Sequence, residues 1–547
     1  MTELQALVNE YLAFVFQTDP IRATQLGVHD HDDELGALTQ DAIAAEATRR
    51  RDFLRRFEAI APEGLSADEQ MDRRVAILDL ETSLRRHDDL RIWERAPYWY
   101  LERLGGALSP LMSRHDAPPE VRGERLLARL NQLPDYLGAA QANLTDDAPP
   151  LYVDMGLTAA RGLEQFLGDA VAGFAETLPD ALHGDIATAA TRSRASLNEF
   201  ATFLRDLRGR AHGSYACGPA HFDFLLQRFH LLDMDHQSLY QFGLERMAED
   251  RARLEAYARE QDPSRTWIEQ IDRVKEDHPQ PAEFKDSYER EMWRARAHCV
   301  ERDLITIPEG EVCHMVWVPA YLRASLPIAV MGTTPPFEAG LESEWLITPL
   351  DPEATPERQR QHMRDNCYAF ARSIALHEIY PGHHLQKVHH KLVTSASPMR
   401  RYFSSPVFVE GWGLYTEDLF EETGFIHEPP VMLFKLRNAL WRSVRVVIDT
   451  GLHTRDMGFE EAVALLRDQV ALDTHMAEGE VRRYTTHNNP TYPSSYLVGK
   501  TQIQKLREEW REQQDSAYSL KAFHDTLLSY GSPPVALIAG RMLDAPA

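Results

Sequence analysis

A helical period of apolar residues runs through most of this chain and constrains its fold more than any other feature. "AAEATRRRDFLRRFEAI" sets Ala45, Phe53, Leu54, Phe57 and Ile60 near one face, with arginines elsewhere. "RGERLLARLNQLPDYLGAAQANL", "TRSRASLNEFATFLRDL" and "DHQSLYQFGLERMAEDRARLEAYARE" read the same way. Short Pro, Gly and Asp turns join them. A mainly α, multi-helix fold is expected. No fixed repeat period appears, which argues against a helical solenoid. With 547 residues, 43% hydrophobic and 9% aromatic, the chain can bury a sizeable core.

The middle of the chain departs from this period. "VCHMVWVPAYL", "PIAVMG" and "SEWLITPL" are richer in β-branched and aromatic residues and are punctuated by Pro and Gly. They read as a few strands, Ser343 to Leu350 being the clearest. Thr355-Pro356 then marks a helix start, a capping residue followed by proline in the first turn. That helix is expected to run through "ERQRQHMRDNCYAFARSIALHE". A strand ahead of such a helix suits a peptidase, where an edge strand holds extended substrate.

The stretch "ALHEIYPGHHLQ", Ala375 to Gln386, resembles a zinc-binding H-E-x-x-H with its second half displaced. In that motif two histidines one turn apart face one metal, and the Glu beside the first reaches the activated water as base. In a continuous helix His383 would lie about 240° round from His377. Pro381 also removes a helical N–H and crowds the carbonyl four residues back. The helix must bulge or break between Glu378 and His383, and Gly382 supplies the freedom to do so. Such a bend brings His383 onto the metal face. His384 competes, returning to that face in an ideal helix but about 10 Å along the axis.

A third ligand lies downstream in "SSPVFVEGWGLYTEDLF". Ser405-Pro406 marks a helix start and Gly424 a stop. Glu410 falls about one turn in. Gly411 and Gly413 cost roughly 1 kcal/mol each inside a helix, which makes sense if another backbone packs very close. Two histidines and a Glu from a second helix form the ligand set of catalytic zinc sites that keep a fourth position open.

"HEIYPGHHLQ" followed by "VEGWGLYTE" resembles the signature of the bacterial domain-of-unknown-function family numbered 885. "DPIRATQLGVHDHDDEL", Asp19 to Leu35, resembles that family's opening. "RRYTTHNNPTYPSSYLVGK", Arg482 to Lys500, resembles a later block nearer "RY…PGQALSYKIG", from which Tyr492 to Ser494 depart. The family is grouped with zincin-like metallopeptidases, similar to the helical, deep-clefted oligopeptidases and carboxypeptidases of the thimet and Taq type. Their H-E-x-G-H aligns with Gly382-His383, which makes His383 the second ligand.

The resemblance then implies zinc on His377, His383 and Glu410, one ion per chain, with Glu378 as general base. It points to Tyr496 first and Tyr484 second as oxyanion donors, and to Arg483 as a holder of a substrate carboxylate. Glu417 is a candidate to orient a ligand from behind. The implied layout is a helical N-terminal region, 1–300, as one cleft wall. A catalytic region, 301–547, would hold a small sheet next to the metal helix, the two interlaced.

The function expected is a zinc-dependent metallopeptidase acting on short peptides. The alternatives are a metal-dependent enzyme on a non-peptide small molecule, by amide hydrolysis or lyase chemistry, and a non-catalytic helical binding protein. A net charge of −25, from 59 basic and 84 acidic residues, argues against nucleic acid or an anionic membrane as partner. Four scattered cysteines suggest idle thiols in a reducing compartment. With an acidic amphipathic N-terminal helix and no long apolar run, a cytoplasmic location is expected. "HDHDDEL" reads as a solvated loop with a structural or cleft-wall role, and His389-His390 as surface.

Overall fold

Helix starts follow side-chain chemistry. Thr2, Ser66, Asp235 and Thr266 each open a helix in a reciprocal cap with the residue three further on, satisfying backbone N–H groups that have no partner in the first turn. The computed structural model describes residues 1–544 apart from 115, 319–328, 333–334 and 396. Among them the chain is mainly α, with one three-stranded sheet. No helix among the described residues is long and apolar enough to cross a membrane.

Two large cores organise the chain. One is built from N-terminal helices, among them Pro97–Ser113, Pro119–Asn143, Pro150–Ala175 and Asp180–Arg208. The other begins at Leu254 and extends to Met542. Helices His236–Gln261 and Phe284–Glu301 contribute Leu254, Tyr288 and Met292 to this second core. The helix Gln40–Ala59 buries Phe53 and Phe57 as expected, but Ile43 and Ala47 carry its first turns. Ala45 is exposed.

The strands are β1 (Val312–Trp317), β2 (Ala329–Met331) and β3 (Glu342–Ile347), in the order β1-β3-β2. β3 pairs parallel with β1 and antiparallel with β2. The strand expected over Ser343 to Leu350 is thus central, not an edge, and ends at Ile347. The expected strand portions Pro319 to Leu322 and Pro327 to Ile328 lie outside the described residues. Ser343, Trp345 and Ile347 alternate into the interior.

The helix expected to run unbroken from Thr355 to Glu378 is two. Pro356–Asp365 ends where buried Asn366 turns its side chain to local work. Its amide donates to the His362 carbonyl at 2.8 Å and accepts from the Tyr288 hydroxyl at 2.6 Å, an alternative to helix continuation typical of Asn. A histidine helix, Tyr368–Glu378, starts afresh. A glutamate helix spans Pro406–Glu422, and Gly424 follows at φ +83°, matching the expected ends. An arginine helix (Pro429–Thr454) and a tyrosine helix (Tyr492–Gln514) complete the frame of the site.

Candidate metal centre

The expected bend after Glu378 is a complete break. Ile379 leaves the helical region at φ −120°, ψ −77°, and a new helix, His383–Lys391, begins after Gly382. The Tyr380–Pro381 peptide is cis. A Cβ on Gly382 would stand 1.9 Å from the His377 carbonyl oxygen, so glycine is needed for space. The break is held from three sides. The Trp412 indole donates to the Pro381 carbonyl at 2.8 Å, and the Thr416 hydroxyl to the Leu376 carbonyl at 3.0 Å. The Tyr380 hydroxyl donates to Glu311 at 2.6 Å.

The break brings His377, His383 and Glu410 together from three helices, with one donor atom of each within 4.8 Å of the others. Glu410 Oε2 lies 3.8 Å from His377 Nε2 and 3.5 Å from His383 Nε2. Donors held about 2.0–2.2 Å from a tetrahedral ion stand roughly 3.3–3.6 Å apart; the Glu410–His383 separation falls in that range, the Glu410–His377 separation just above it, and the donor set suits zinc. All three are buried. Behind His377, Glu417 Oε1 lies 3.0 Å from Nδ1. A carboxylate there orients the ring and leaves Nε2 free for a metal.

His384 is not part of this cluster. Fully buried, it meets Ser343 of β3 through Nδ1 and Glu311 through Nε2 at 2.7 Å. The choice left open by helical spacing therefore falls on His383. The sheet packs beside the helix that His383 starts, through this same Ser343–His384 contact. His389 and His390 are not surface residues. Both are partly buried, His390 bonded to Ser532 and to the Arg401 carbonyl, His389 to the Thr306 carbonyl.

Glu378 is half-buried and makes no hydrogen bond or ion pair among the described residues. Lys387, one turn beyond His383, is likewise unpaired among them and lies within electrostatic reach of Glu378 and Glu410. Burial lowers its pKa.

Tyr496 packs its ring against His377, with centroids 6.1 Å apart and planes 18° apart. Its hydroxyl donates to that of Tyr492 at 3.3 Å, and Tyr492 donates to Glu410 Oε1 at 2.7 Å. Tyr492 touches a candidate ligand, yet it fell among the departures from the family pattern. Its spacing of four from Tyr496 on one helix face was the available signal. Tyr484 stands away from the cluster, its hydroxyl taken by Arg445 and Glu480. Arg483 is half-exposed and paired with Glu480 at 3.0 Å.

Close backbone packing fixes this arrangement. A Cβ on Gly411 would lie 2.5 Å from the Gly499 backbone, and one on Gly499 would lie 1.9 Å from the Val407 carbonyl oxygen. The glutamate and tyrosine helices thus cross in backbone contact. A Cβ on Gly413 would press on the His377 ring at 2.7–3.1 Å. Both glycines that are costly for helix formation buy proximity at the cluster.

Electrostatics follow from burial and pairing. Burial pushes the His377 pKa down, but Glu410 and Glu417 outweigh it and raise it to about 9. Burial works against the Glu410 charge, yet His383 and His377 hold its carboxyl well below the usual range. The "HDHDDEL" segment is a turn whose Asp30, Asp33 and Glu34 are exposed, as expected, while Asp32 and Leu35 are buried. Buried Asp32 meets Thr24, His29 and Arg125. His29, Asp116 and Glu338 also bring donor atoms within 4.8 Å of one another, but Arg125 lies 2.8 Å from Asp116 and supplies positive charge there.

A family model described as "Bacterial protein of unknown function (DUF885)" matches residues 20–542. The chain belongs to the DUF885 family. Two solved structures share the fold of this DUF885 chain. One is a putative lipoprotein of unknown function from Shewanella oneidensis, 21% identical, TM-score 0.83, covering 100% of each chain. The other is a putative lipoprotein from Colwellia psychrerythraea, 16% identical, TM-score 0.86, covering 99% of this chain and 98% of that one. Those descriptions give the expected cytoplasmic location no support. No curated protein matches the chain.

Proposed function

We propose that this chain is a zinc-dependent hydrolase, a metallopeptidase acting on short peptides with the zincin-like, clefted architecture its motifs suggest. The observation that carries the reading is the approach of His377 Nε2, His383 Nε2 and Glu410 Oε2 to one point, with Glu417 behind His377. A zinc ion held there supplies a Lewis acid and lowers the pKa of water toward neutrality. Glu378 follows His377 directly and has no hydrogen-bond or ion-pair partner among the described residues, so it is the base that takes the water proton and delivers it to the leaving amine. The Tyr496 hydroxyl, held among the described residues only by a long 3.3 Å bond to Tyr492, supplies a donor for a developing oxyanion.

The test combines metal analysis with digestion of a mixed peptide library. Wild type should carry about one zinc per chain and cleave peptides. Glu378→Gln should keep the metal and lose cleavage by a factor of about 10²–10⁴. His383→Ala should lose the metal, while His384→Ala should keep it at some cost in stability. Protein purified gently without metal, or uptake that depends on His384 instead, would sink the assignment. Metal with no peptide cleaved would point to a non-peptide substrate.

A further inference from the structure

The arginine helix turns three guanidinium groups onto the Trp441 ring, Arg437 at 5.5 Å, Arg442 at 5.4 Å and Arg445 at 4.8 Å. Arg442 and Arg445 also lie over Tyr496, at 5.6 and 4.9 Å. Sharing the Glu480 carboxylate with Arg483, Arg445 is paired, donating to Glu480 at 2.8 Å and to the Tyr484 hydroxyl at 2.7 Å. Arg442 is not. It is 8% exposed, and among the described residues no acceptor or ion-pair partner meets it. Its Nε is wholly buried with no partner. The nearby Glu417 is taken up by His377.

Guanidinium carries five N–H donors and keeps its proton in proteins. Leaving even one of these donors, here Nε, buried and unpaired is costly, and each such group calls for an explanation. The surroundings leave its charge uncompensated. Burial and the neighbouring Arg445 lower the Arg442 pKa, whereas paired Arg445 is raised. Arg483, the expected carboxylate holder, already has Glu480.

We propose that Arg442 receives the free C-terminal carboxylate of a short peptide substrate, as one arm of a planar two-bond clasp. The inference rests on the hydrolase reading and names its substrate class. Arg442 and the His377 ring lie 5.6 and 6.1 Å from the Tyr496 ring centre. Their separation therefore cannot exceed the sum of these distances, about 12 Å. Extended chain covers at most about 3.3–3.6 Å per residue, so one to three residues fit between the bond cut and the carboxylate.

The experiment compares a tripeptide ending in a free acid with its C-terminal amide, on the full-length zinc-loaded protein. The wild type should favour the acid by tenfold or more in kcat/KM, mostly through KM. Arg442→Gln should collapse that ratio toward one, and Arg442→Lys should restore part of it. Calorimetric binding of both peptides to Glu378→Gln protein needs no turnover. Hydrolysis of acid and amide alike overturns the carboxylate site and leaves the hydrolase reading standing. Acid-selective binding that depends on Arg442, with no hydrolysis by wild type, does the reverse. If Arg442→Gln fails to fold, the acid-to-amide ratio of wild type and of Arg442→Lys decides.

Discussion

His377 Nδ1 and Glu417 Oε1 stand 3.0 Å apart, each side chain only 5% exposed. Two residues on separate helices thus share a contact that water does not dilute. If it orients the ring for a metal, Glu417→Gln should weaken zinc binding about 10–100-fold. Competition with a chelator of known affinity measures this. An unchanged affinity would reduce Glu417 to a packing role.

The crossing of the glutamate and tyrosine helices predicts opposite results from one kind of substitution. Gly411→Ala would place a methyl 2.5 Å from the Gly499 backbone. Forced overpacking of this sort costs about 1–3 kcal/mol. Gly173→Ala, at a helical position with nothing within 4 Å, should stabilise by about 0.5–1 kcal/mol. Denaturant midpoints of the two variants decide; equal shifts would refute the close crossing.

Metal uptake should depend on pH in a stated direction. Burial favours neutral His377, but Glu410 and Glu417 raise its pKa to about 9. In the ion-free protein at pH 7 the ring therefore carries a proton that an ion must displace. Apparent affinity should fall about tenfold for each pH unit below 9 on account of this proton. Calorimetry in two buffers of different ionisation enthalpy should show about one proton released per ion at pH 7. A flat affinity between pH 6 and 8 would count against the coupling.

Parts of this site were legible in the sequence for local reasons. Pro406 in the first turn and left-handed Gly424 bound the glutamate helix by local backbone chemistry, although the Ser405 side chain makes no cap bond. The cost of Gly411 inside a helix announced a close backbone neighbour, which is Gly499. Other parts depend on distant residues. Helical spacing alone left His383 and His384 open, because Ser343 and Glu311, far earlier in the chain, take His384. The end of the helix at Asp365 depends on Tyr288 meeting Asn366. Tyr492 was passed over as a departure from a family pattern, and Arg442 because an unpaired charge shows itself only once its surroundings are known.

The Gly411–Gly499 contact has a mechanical consequence. Glu410 and Tyr492 ride on rods that are keyed together, since sliding either by one residue would drive Trp412 or Val498 into a gap with no room for a side chain. Their spacing behaves as a fixed ruler. The helix that carries His377 and the one that His383 begins are joined by the four-residue link Ile379 to Gly382. That link is buried and pinned through Tyr380 and Pro381, so both sides of the site are fixed and an incoming ion or substrate meets a preset spacing.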